Sequence, residues 1–336
     1  MAFKEMCETE MNFLRLIKNI RTNGLIYTEG VLNMNYIGID IGGTQLRVAA
    51  YDGNGVEIKK VIMPNDHTLG PRENCNNLIA AIDSWDIDYE AIGIGTPGPL
   101  DFRTGMILNP PNLPGWENFN IVRYFEQATK HRAFLNNDAN VAGLAEAVAG
   151  AGKGYESVFY ITVSTGVGGA YVYHGQLVNG ANSSAAELYT LIVNENDEKV
   201  EGNCCGALAD QASGTALARY ATRWFKRPVD AKELFDLWRA GDAMAGAIID
   251  QAADNLAKGV ANTSFIVDPN IFIFGGSVAL FNPDFINLVL EKAMGYVLSP
   301  GNLHFELATC GGDAGLVGAA RYAEIKMKEQ LMQAAN

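Results

Sequence analysis

The chain has 336 residues, 48% of them hydrophobic and 19% charged, and its formal net charge is −13. This length and hydrophobic content favour about two folded domains and exclude a disordered chain. Because so acidic a surface repels nucleic-acid phosphates and anionic lipid, we expect neither nucleic acid nor a membrane as a partner.

The cysteines suggest a reducing compartment. They are odd in number, form no CxxC pair and stand at Cys7, Cys75, Cys204, Cys205 and Cys310. This pattern suits neither a disulfide framework nor a metal knuckle, so we predict a cytoplasmic protein. No apolar run approaches the length of a membrane span, and the first residues are too charged for a signal peptide.

The first 34 residues differ from the rest and are interpreted as an N-terminal extension with one short amphipathic helix at 12–20. A regular α/β pattern begins at Tyr36, with a strand, a glycine turn, a second strand and a hairpin signal at Asp52–Gly55. Predicted strands up to residue 149 are 36–41, 46–51, 56–63, 91–95 and 133–135, and predicted helices are 73–85, 122–129 and 140–149.

The same pattern restarts after the glycine-rich stretch Gly150–Gly154, with a strand, a turn at Thr165–Gly169 and another strand. Predicted strands here are 158–163, 170–173, 271–274 and 305–309, and predicted helices are 215–225, 231–240, 243–266, 284–297 and 315–333. This repetition predicts two related α/β lobes, each with a mixed sheet flanked by helices. The expected division is an extension (1–34), an N-terminal lobe (35–153), a C-terminal lobe (154–314) and a closing helix (315–336) that packs back on the N-terminal lobe.

Two glycine hairpins are candidate phosphate sites. In the first, Asp40 precedes the turn residues Gly42, Gly43 and Thr44, whose backbone N–H groups and hydroxyl suit phosphate. Asp40 could hold Mg²⁺ directly or through water, because hard cations prefer oxygen ligands. The second hairpin contributes Thr165, Gly166 and Gly168. The alternative for each is an ordinary hairpin without a ligand.

Gly275 and Gly276 follow a predicted buried strand, where small residues leave room for a nucleotide base or ribose. A turn that simply starts a helix is an equal alternative.

The segment Asn136–Asn140 is polar and follows a predicted strand. Asp138 can accept a proton from a substrate hydroxyl, and Asn137 can hydrogen-bond to one. Helix capping is the alternative, because Asn and Asp are favoured N-caps. The proline-rich loops containing Gly98 and Asn112 can cover a site, and the Asn112 amide offers both a donor and an acceptor to a sugar.

Together these motifs resemble the ROK sugar kinases over about residues 36–325. The matching segments, in the family's order, are DIGGT at 40–44, GTPG at 95–98, PNLPGW at 111–116, NDAN at 137–140, STGVGG at 164–169 and GG at 275–276. The resemblance implies a two-lobed actin-like ATPase (ribonuclease H-like) fold, with sugar between the lobes and ATP mainly on the second. It implies Asp138 as general base and Asn112, Asn137 and Glu187 as sugar ligands, with ATP and Mg²⁺ as cofactors and a homodimer as the assembly.

The chain departs from the family pattern at the zinc motif. Thr190 stands where the family has a histidine, and the expected cysteine positions hold Val200, Gly202 and Ala207. Ala209 replaces the motif's last glutamate, and Cys204 and Cys205 are out of register. We therefore predict no zinc site, because this segment cannot supply four soft or nitrogen ligands.

The predicted activity is ATP-dependent phosphorylation of a hexose or N-acetylhexosamine at its 6-hydroxyl. N-acetylmannosamine and glucose are the preferred substrates. A weaker resemblance of 160–169, 275–278 and 312–318 to the N-acetylmannosamine kinase branch favours an N-acetylhexosamine over glucose. One alternative is a sugar-responsive transcriptional regulator, although about 35 residues before the kinase-like part leave no room for a winged helix. A non-catalytic sugar-binding protein is a second alternative, which Asp138 and the two phosphate hairpins disfavour.

Overall fold

The computed structural model describes residues 34–195, 200 and 203–334, so the expected extension at 1–34 lies outside the described residues except for Met34. The chain divides into two compact units. The first runs to Asn136 and includes the chain from Ala319 onward, and the second spans Asn137–Gly318. The boundary thus differs from the expected one at 153/154, because the helix at Asp138–Val148 packs on strands of the second unit.

The first unit contains strands β1 (Tyr36–Ile41), β2 (Gln45–Tyr51), β3 (Glu57–Pro64), β4 (Ala91–Thr96), β5 (Leu100–Asp101), β6 (Met106–Ile107), β7 (Phe119–Asn120) and β8 (Arg132–Asn137). Five of them form a mixed sheet in the order β3-β2-β1-β4-β8, in which β1 is antiparallel to β2 and parallel to β4. Every residue of β1 and β4 is buried, whereas β3 is largely exposed and carries two lysines. Lysines on such a strand hinder edge-to-edge pairing with another chain.

The core of the first unit lies against helices α1 (Pro71–Asp83) and α2 (Ile121–Thr129). Leu78 of α1 and Phe125 of α2 are fully buried in one cluster with the strand isoleucines and Trp116. The strands β5, β6 and β7 form a separate small sheet.

The second unit begins with helix α3 (Asp138–Val148) and contains strands β9 (Ser157–Val163), β10 (Val167–Tyr173), β11 (Gln176–Leu177), β12 (Ile271–Gly275) and β13 (Phe305–Leu307). Their order is β11-β10-β9-β12-β13, in which β9 is antiparallel to β10 and parallel to β12. The sheets of the two units therefore share one pattern, an antiparallel hairpin whose first strand also pairs with a later parallel strand.

Six further helices lie in the second unit: α4 (Leu208–Ala212), α5 (Gly214–Phe225), α6 (Ala231–Arg239), α7 (Ala243–Val267), α8 (Ser277–Phe281) and α9 (Pro283–Met294), counting described residues only. The long helix α7 contacts α4, α5, α6 and α9 and buries one face in the core with Phe235 and Phe285. The last helix, α10 (Ala314–Ala334), begins in the second unit and continues in the first.

The two sheets and their helices confirm the expected class, an α/β actin-like ATPase (ribonuclease H-like) fold with mixed sheets. Among the described residues, no helix combines the length and the apolar character that crossing a membrane would require.

Candidate active site

The turn between β1 and β2 is held from within the first unit. Gly42 N–H donates to Gln45 O at 2.8 Å, and Asn65 donates from its backbone and side chain to Thr44 O and Gly42 O, each at 2.9 Å. The Gly42 amide is thus already used, which leaves the amides of Gly43 and Thr44 as the turn donors for a ligand. Thr44 is exposed at the tip.

Asp40, the last residue but one of β1, is buried and forms an ion pair with Arg47. The two residues are cross-strand partners in the β1–β2 hairpin, which places their side chains on the same face. Burial raises the pKa of the Asp40 carboxyl, and the Arg47 guanidinium opposes that rise. Arg47 donates to Oδ2, whereas Oδ1 is the oxygen that this guanidinium does not contact. A single carboxylate oxygen fits Mg²⁺, which usually keeps several waters and binds substrate phosphates as well.

The loop that carries Asn112 lies against the same turn. A Cβ added to Gly43 would lie 3.0 Å from Asn112 O, so glycine at 43 permits this close approach. Leu113 and Trp116 are buried and anchor the loop, whereas Asn112 is exposed. Gly98 follows β4, which runs parallel to β1 with Asp40 opposite Gly95. The structure therefore brings Asp40, Gly43 and Asn112 together in the first unit, with Gly98 after the neighbouring strand end.

Asp138 is the first residue of α3 in the second unit. Asn137 is the N-cap, and its Oδ1 accepts a hydrogen bond from Ala139 N–H at 3.0 Å. Asp138 Oδ1 accepts from the same N–H at 2.8 Å. Asn137 therefore caps the helix, as the capping alternative predicted, and its hydrogen bond fixes the start of the helix beside Asp138. A helix N-terminus also stabilises a nearby negative charge.

The second glycine hairpin differs from the predicted five-residue turn. β10 already begins at Val167, and Gly168 and Gly169 pair with Thr162 and Ile161 of β9. The turn is therefore Ser164–Gly166, in which Ser164 N–H donates to Gly166 O at 2.9 Å. The sequence could not separate turn glycines from strand glycines, because both kinds follow one another here.

Gly168 and Gly169 permit close packing of the two segments that carry the candidate catalytic and sugar-binding carboxylates. A Cβ on Gly168 would lie 3.1 Å from Ala139 Cβ, next to Asp138. A Cβ on Gly169 would lie 2.6 Å from Ala186 O, next to Glu187. Strand β10 is therefore the surface on which both segments rest.

Glu187 is half-buried at the start of a 3₁₀ turn, Leu188–Thr190, that buried Leu188 holds to the core. Burial raises the pKa of the Glu187 carboxyl, and the negative charge of Asp138 raises it further. The second unit thus holds these two carboxylates within electrostatic range of each other.

A second group of predicted residues surrounds the Ser164–Gly166 turn. Gly214 N–H, at the start of α5, donates to Ser164 O at 2.8 Å. The hydroxyls of Ser164 and Ser277 lie 3.1 Å apart. Gly276, with φ 84° and ψ 158°, is in a conformation that glycine adopts readily, and a Cβ there would lie 2.4 Å from Val163 O. Thr165, Gly166, Gly275 and Gly276 are therefore neighbours, and Gly276 is also the N-cap of α8.

Glu146 anchors the far end of α3, and no motif in the sequence identifies it. Glu146 is fully buried, and its carboxylate accepts hydrogen bonds from the backbone N–H of Ala151, Thr309 and Cys310 at 3.1, 3.0 and 2.7 Å. The two accepting oxygens thus tie α3 to the segment after β13. No local signal identifies the contact with Thr309 and Cys310, because both residues are more than 160 positions away in the chain.

Arg47 was also missed, although the hairpin register that places it opposite Asp40 follows from the short turn. In the segment where the family carries its zinc motif, the structure describes Val200, Ala207 and Ala209, whereas Gly202 lies outside the described residues. Cys204 Sγ donates to Thr190 O at 3.4 Å. The absence of zinc stays a prediction.

Comparison with known proteins gives one family. The sequence profile of the ROK family matches residues 36–326. The chain is 31% identical over 307 residues to a glucokinase of Thermotoga maritima, with 85% of this chain and 96% of that protein covered. It is 30% identical over 296 residues to an N-acetylmannosamine kinase of Haemophilus influenzae, with 87% and 96% covered.

Solved structures give the same result. A ROK hexokinase from Thermus thermophilus superimposes with a TM-score of 0.83 at 38% identity, covering 88% of this chain and all of that one. A ROK glucokinase from Streptomyces griseus in complex with glucose and AMPPNP gives a TM-score of 0.71 at 27% identity, covering 87% and 99%. These matches confirm the resemblance that the motifs indicated.

Proposed function

Because the chain belongs to the ROK family, we propose that it is an ATP-dependent kinase that phosphorylates a hexose or an N-acetylhexosamine. The observation that carries the proposal is the placement of Asp138 at the N-terminus of α3, within electrostatic range of Glu187. A carboxylate held in this way suits a general base, and its neighbour suits hydroxyl recognition.

In this proposal Asp138 accepts the proton of the attacking hydroxyl of the sugar. Its carboxylate is held at the helix start by its bond to Ala139 N–H, so little reorientation is needed before proton transfer. Glu187, Asn137 and Asn112 are the proposed ligands of other sugar hydroxyls. Positioning supplies most of the catalysis in phosphoryl transfer, which is why fixed ligands matter more than strong ones.

The phosphates of ATP bind to backbone amides of the glycine turns. Gly43 and Thr44 are the proposed donors of the first glycine turn, and Thr165 and Gly166 are those of the second. A Cβ on Gly166 would meet no atom within 4 Å, so a ligand can approach that backbone closely. Gly275 and Gly276 flank the nucleoside, and Gly168 acts by letting α3 pack on β10.

Asp40 is the carboxylate that would hold Mg²⁺, through water. When bound, Mg²⁺ would neutralise charge on the transferring phosphoryl group. The Asp40–Arg47 pair fixes the carboxylate in one orientation before the cation arrives. No zinc is part of this proposal.

The substrate class follows from the relatives, which are named glucokinase and N-acetylmannosamine kinase. The replacement of the family histidine by Thr190 removes one sugar ligand, so recognition depends more on Glu187 and Asn112. We propose the 6-hydroxyl as the site of phosphorylation.

A coupled ADP-release assay over glucose, mannose, fructose, allose, N-acetylglucosamine, N-acetylmannosamine and cellobiose tests the proposal. We expect turnover with glucose or N-acetylmannosamine at least tenfold above the sugar-free rate, because bound sugar supplies the attacking hydroxyl. ADP release that no sugar in this panel stimulates would reject the kinase assignment and favour a binding role.

A further inference from the structure

Helices α5 and α7 of the second unit enclose a groove that the proposed reaction does not use. The cavity measures about 210 Å³, and α4 closes its floor. None of its lining residues belongs to the candidate active site. The residues that decide its chemistry are Gln211, Tyr220, Arg223, Trp224, Ile248 and Asn255.

The floor of the groove presents a hydrogen-bond donor without an acceptor. Asn255 is 2% exposed, and its Nδ2 has no partner among the described residues. Its Oδ1 is already used, because Asn194 Nδ2 donates to it at 3.2 Å and also to Gln211 Oε1 at 3.0 Å. Tyr220 donates its hydroxyl to the same Gln211 oxygen at 3.1 Å. A buried unsatisfied donor is costly, so the floor suits a ligand that brings an acceptor.

The walls and the rim narrow the class of ligand. Ile248, Ala247 and Ala252 form an aliphatic wall on α7. Trp224, 56% exposed, offers an indole face at the mouth, and the exposed Arg223 adds a positive charge. The described lining contains no carboxylate, although the whole chain is strongly acidic. The groove therefore offers a donor at depth, an apolar surface beside α7 and a guanidinium at the rim, which together suit a ligand with an acceptor, an apolar face and an anionic group.

We propose that this groove binds a phosphorylated acetamido sugar as a second ligand site. The acetamido carbonyl accepts from Asn255 Nδ2, and its methyl group lies on the aliphatic wall. The apolar face of the sugar ring stacks on Trp224, and the phosphate pairs with Arg223. Unphosphorylated sugar lacks the charge, and glucose 6-phosphate lacks the carbonyl and methyl, so both bind more weakly.

The site also suggests regulation, a step that rests on the proposed function. A kinase that acts on an N-acetylhexosamine forms such a ligand as its product, so occupancy of the groove would rise with product concentration. The binding itself follows from the groove and does not depend on that activity. Ordered water satisfying Asn255 Nδ2 is the competing explanation, because the cavity is large enough for it.

Isothermal titration calorimetry on the full chain tests the site with N-acetylmannosamine 6-phosphate, N-acetylglucosamine 6-phosphate, glucose 6-phosphate, N-acetylmannosamine and inorganic phosphate. We expect at least one acetamido sugar phosphate to bind at least tenfold more tightly than the last three. Asn255→Leu and Arg223→Gln should each weaken that binding at least tenfold, while kcat and KM for the kinase substrate stay within twofold of wild type. Asn255→Leu leaves Asn194 bonded to Gln211, so this variant should fold, and its thermal melting curve checks that it does.

Glu187→Gln separates the groove from the candidate active site. Binding that is lost in Glu187→Gln but kept in Asn255→Leu would assign the ligand to the active site and overturn the proposal. If none of the probes binds, the proposal is also overturned, because this is the result expected when only water fills the groove. Groove binding without kinase activity in the sugar screen would reject the proposed function alone. Kinase activity without groove binding would reject only this inference.

Discussion

At the residue scale, the candidate site depends on two carboxylates of the second unit, Asp138 and Glu187, which interact electrostatically. Asp138 lies at a helix N-terminus, where negative charge is stabilised. Glu187 is half-buried, and burial and then the charge of Asp138 raise its pKa. The two groups therefore differ in environment although their chemistry is the same, which suits one for proton transfer and the other for hydrogen bonding to the sugar.

The raised pKa of Glu187 predicts a pH-dependent gain in stability for Glu187→Gln. The pKa of the Glu187 carboxyl is higher in the folded state than in the unfolded state, where it has its ordinary value of 4.5. The stabilising contribution of the protonated group is therefore complete below pH 4.5 and is lost as pH rises through the folded pKa. We expect the free energy of unfolding of the variant, relative to wild type, to be higher at pH 8 than at pH 4.5, measured by urea denaturation.

Glu306→Gln is the matched control, because it removes a carboxylate that is exposed on β13. It should show no comparable difference between the two pH values. A pH difference equal to that of Glu306→Gln, or one of the opposite sign, would contradict the account of Glu187.

Candidate roles that depend on a local motif can be proposed from the sequence, whereas those that depend on tertiary contacts cannot. Asp138, Asn137 and Glu187 are candidates because their neighbours in sequence match the family motifs, and their roles stay predictions. The partners of Glu146 could not be found, because Thr309 and Cys310 reach it only in the folded chain. Asn255 carried no sequence signal, because an unpaired donor is a property of its surroundings.

At the element scale, glycines set how closely the backbones approach. A Cβ on Gly93 of β4 would lie 1.8 Å from Ala319 O, within the first unit. A Cβ on Gly318 would lie 1.7 Å from Val141 O of α3, within the second unit. Since Val141 lies one turn after Asp138, glycine at 318 helps to set the position of the helix that carries the proposed base.

We predict that Gly318→Ala lowers the free energy of unfolding by about 2–4 kcal/mol, because an added methyl group must displace backbone that cannot shift cheaply. Gly246→Ala in α7 is the control, because its nearest atom would be Trp238 Cδ1 at 3.8 Å. That variant should gain about 0.5–1 kcal/mol from better helix propensity. Urea denaturation measures both, and equal effects of the two substitutions would contradict this reading of Gly318.

The positions of most elements could be predicted to within a few residues, since apolar periodicity and turn signals agree along the chain. The error at Thr165–Gly169 shows the limit of that approach. Gly168 and Gly169 belong to β10, where they pair with β9 while Ala139 and Ala186 pack against them. These contacts come from other segments of the chain and leave no pattern in the local sequence.

At the scale of the whole molecule, the repeated strand pattern predicted two related sheets, and the structure has them. The unit boundary could not be predicted, because it depends on α3 packing on β9 and β10 rather than on a linker. The net charge of −13 is also a property of the whole molecule, because it is summed over the full chain.

The charge predicts that the protein does not bind DNA under physiological salt. Phosphate neutralisation by Lys and Arg supplies most non-specific affinity for DNA, and acidic residues outnumber basic ones here by 38 to 25. A gel-shift titration at about 150 mM salt should show no complex at micromolar protein, with and without sugar. A sugar-sensitive shift would instead support a transcriptional regulator.

The central claim, that Asp138 is the base of a sugar kinase, is tested most directly by steady-state kinetics of Asp138→Asn with the sugar that the wild type prefers. We predict a fall in kcat of about 10²–10⁴-fold with the Kd for ATP within threefold of wild type. Asp268→Asn, the exposed C-cap of α7 at φ 42°, is the control and should leave both values unchanged, since asparagine tolerates that conformation. Turnover by Asp138→Asn within tenfold of wild type would contradict the assignment.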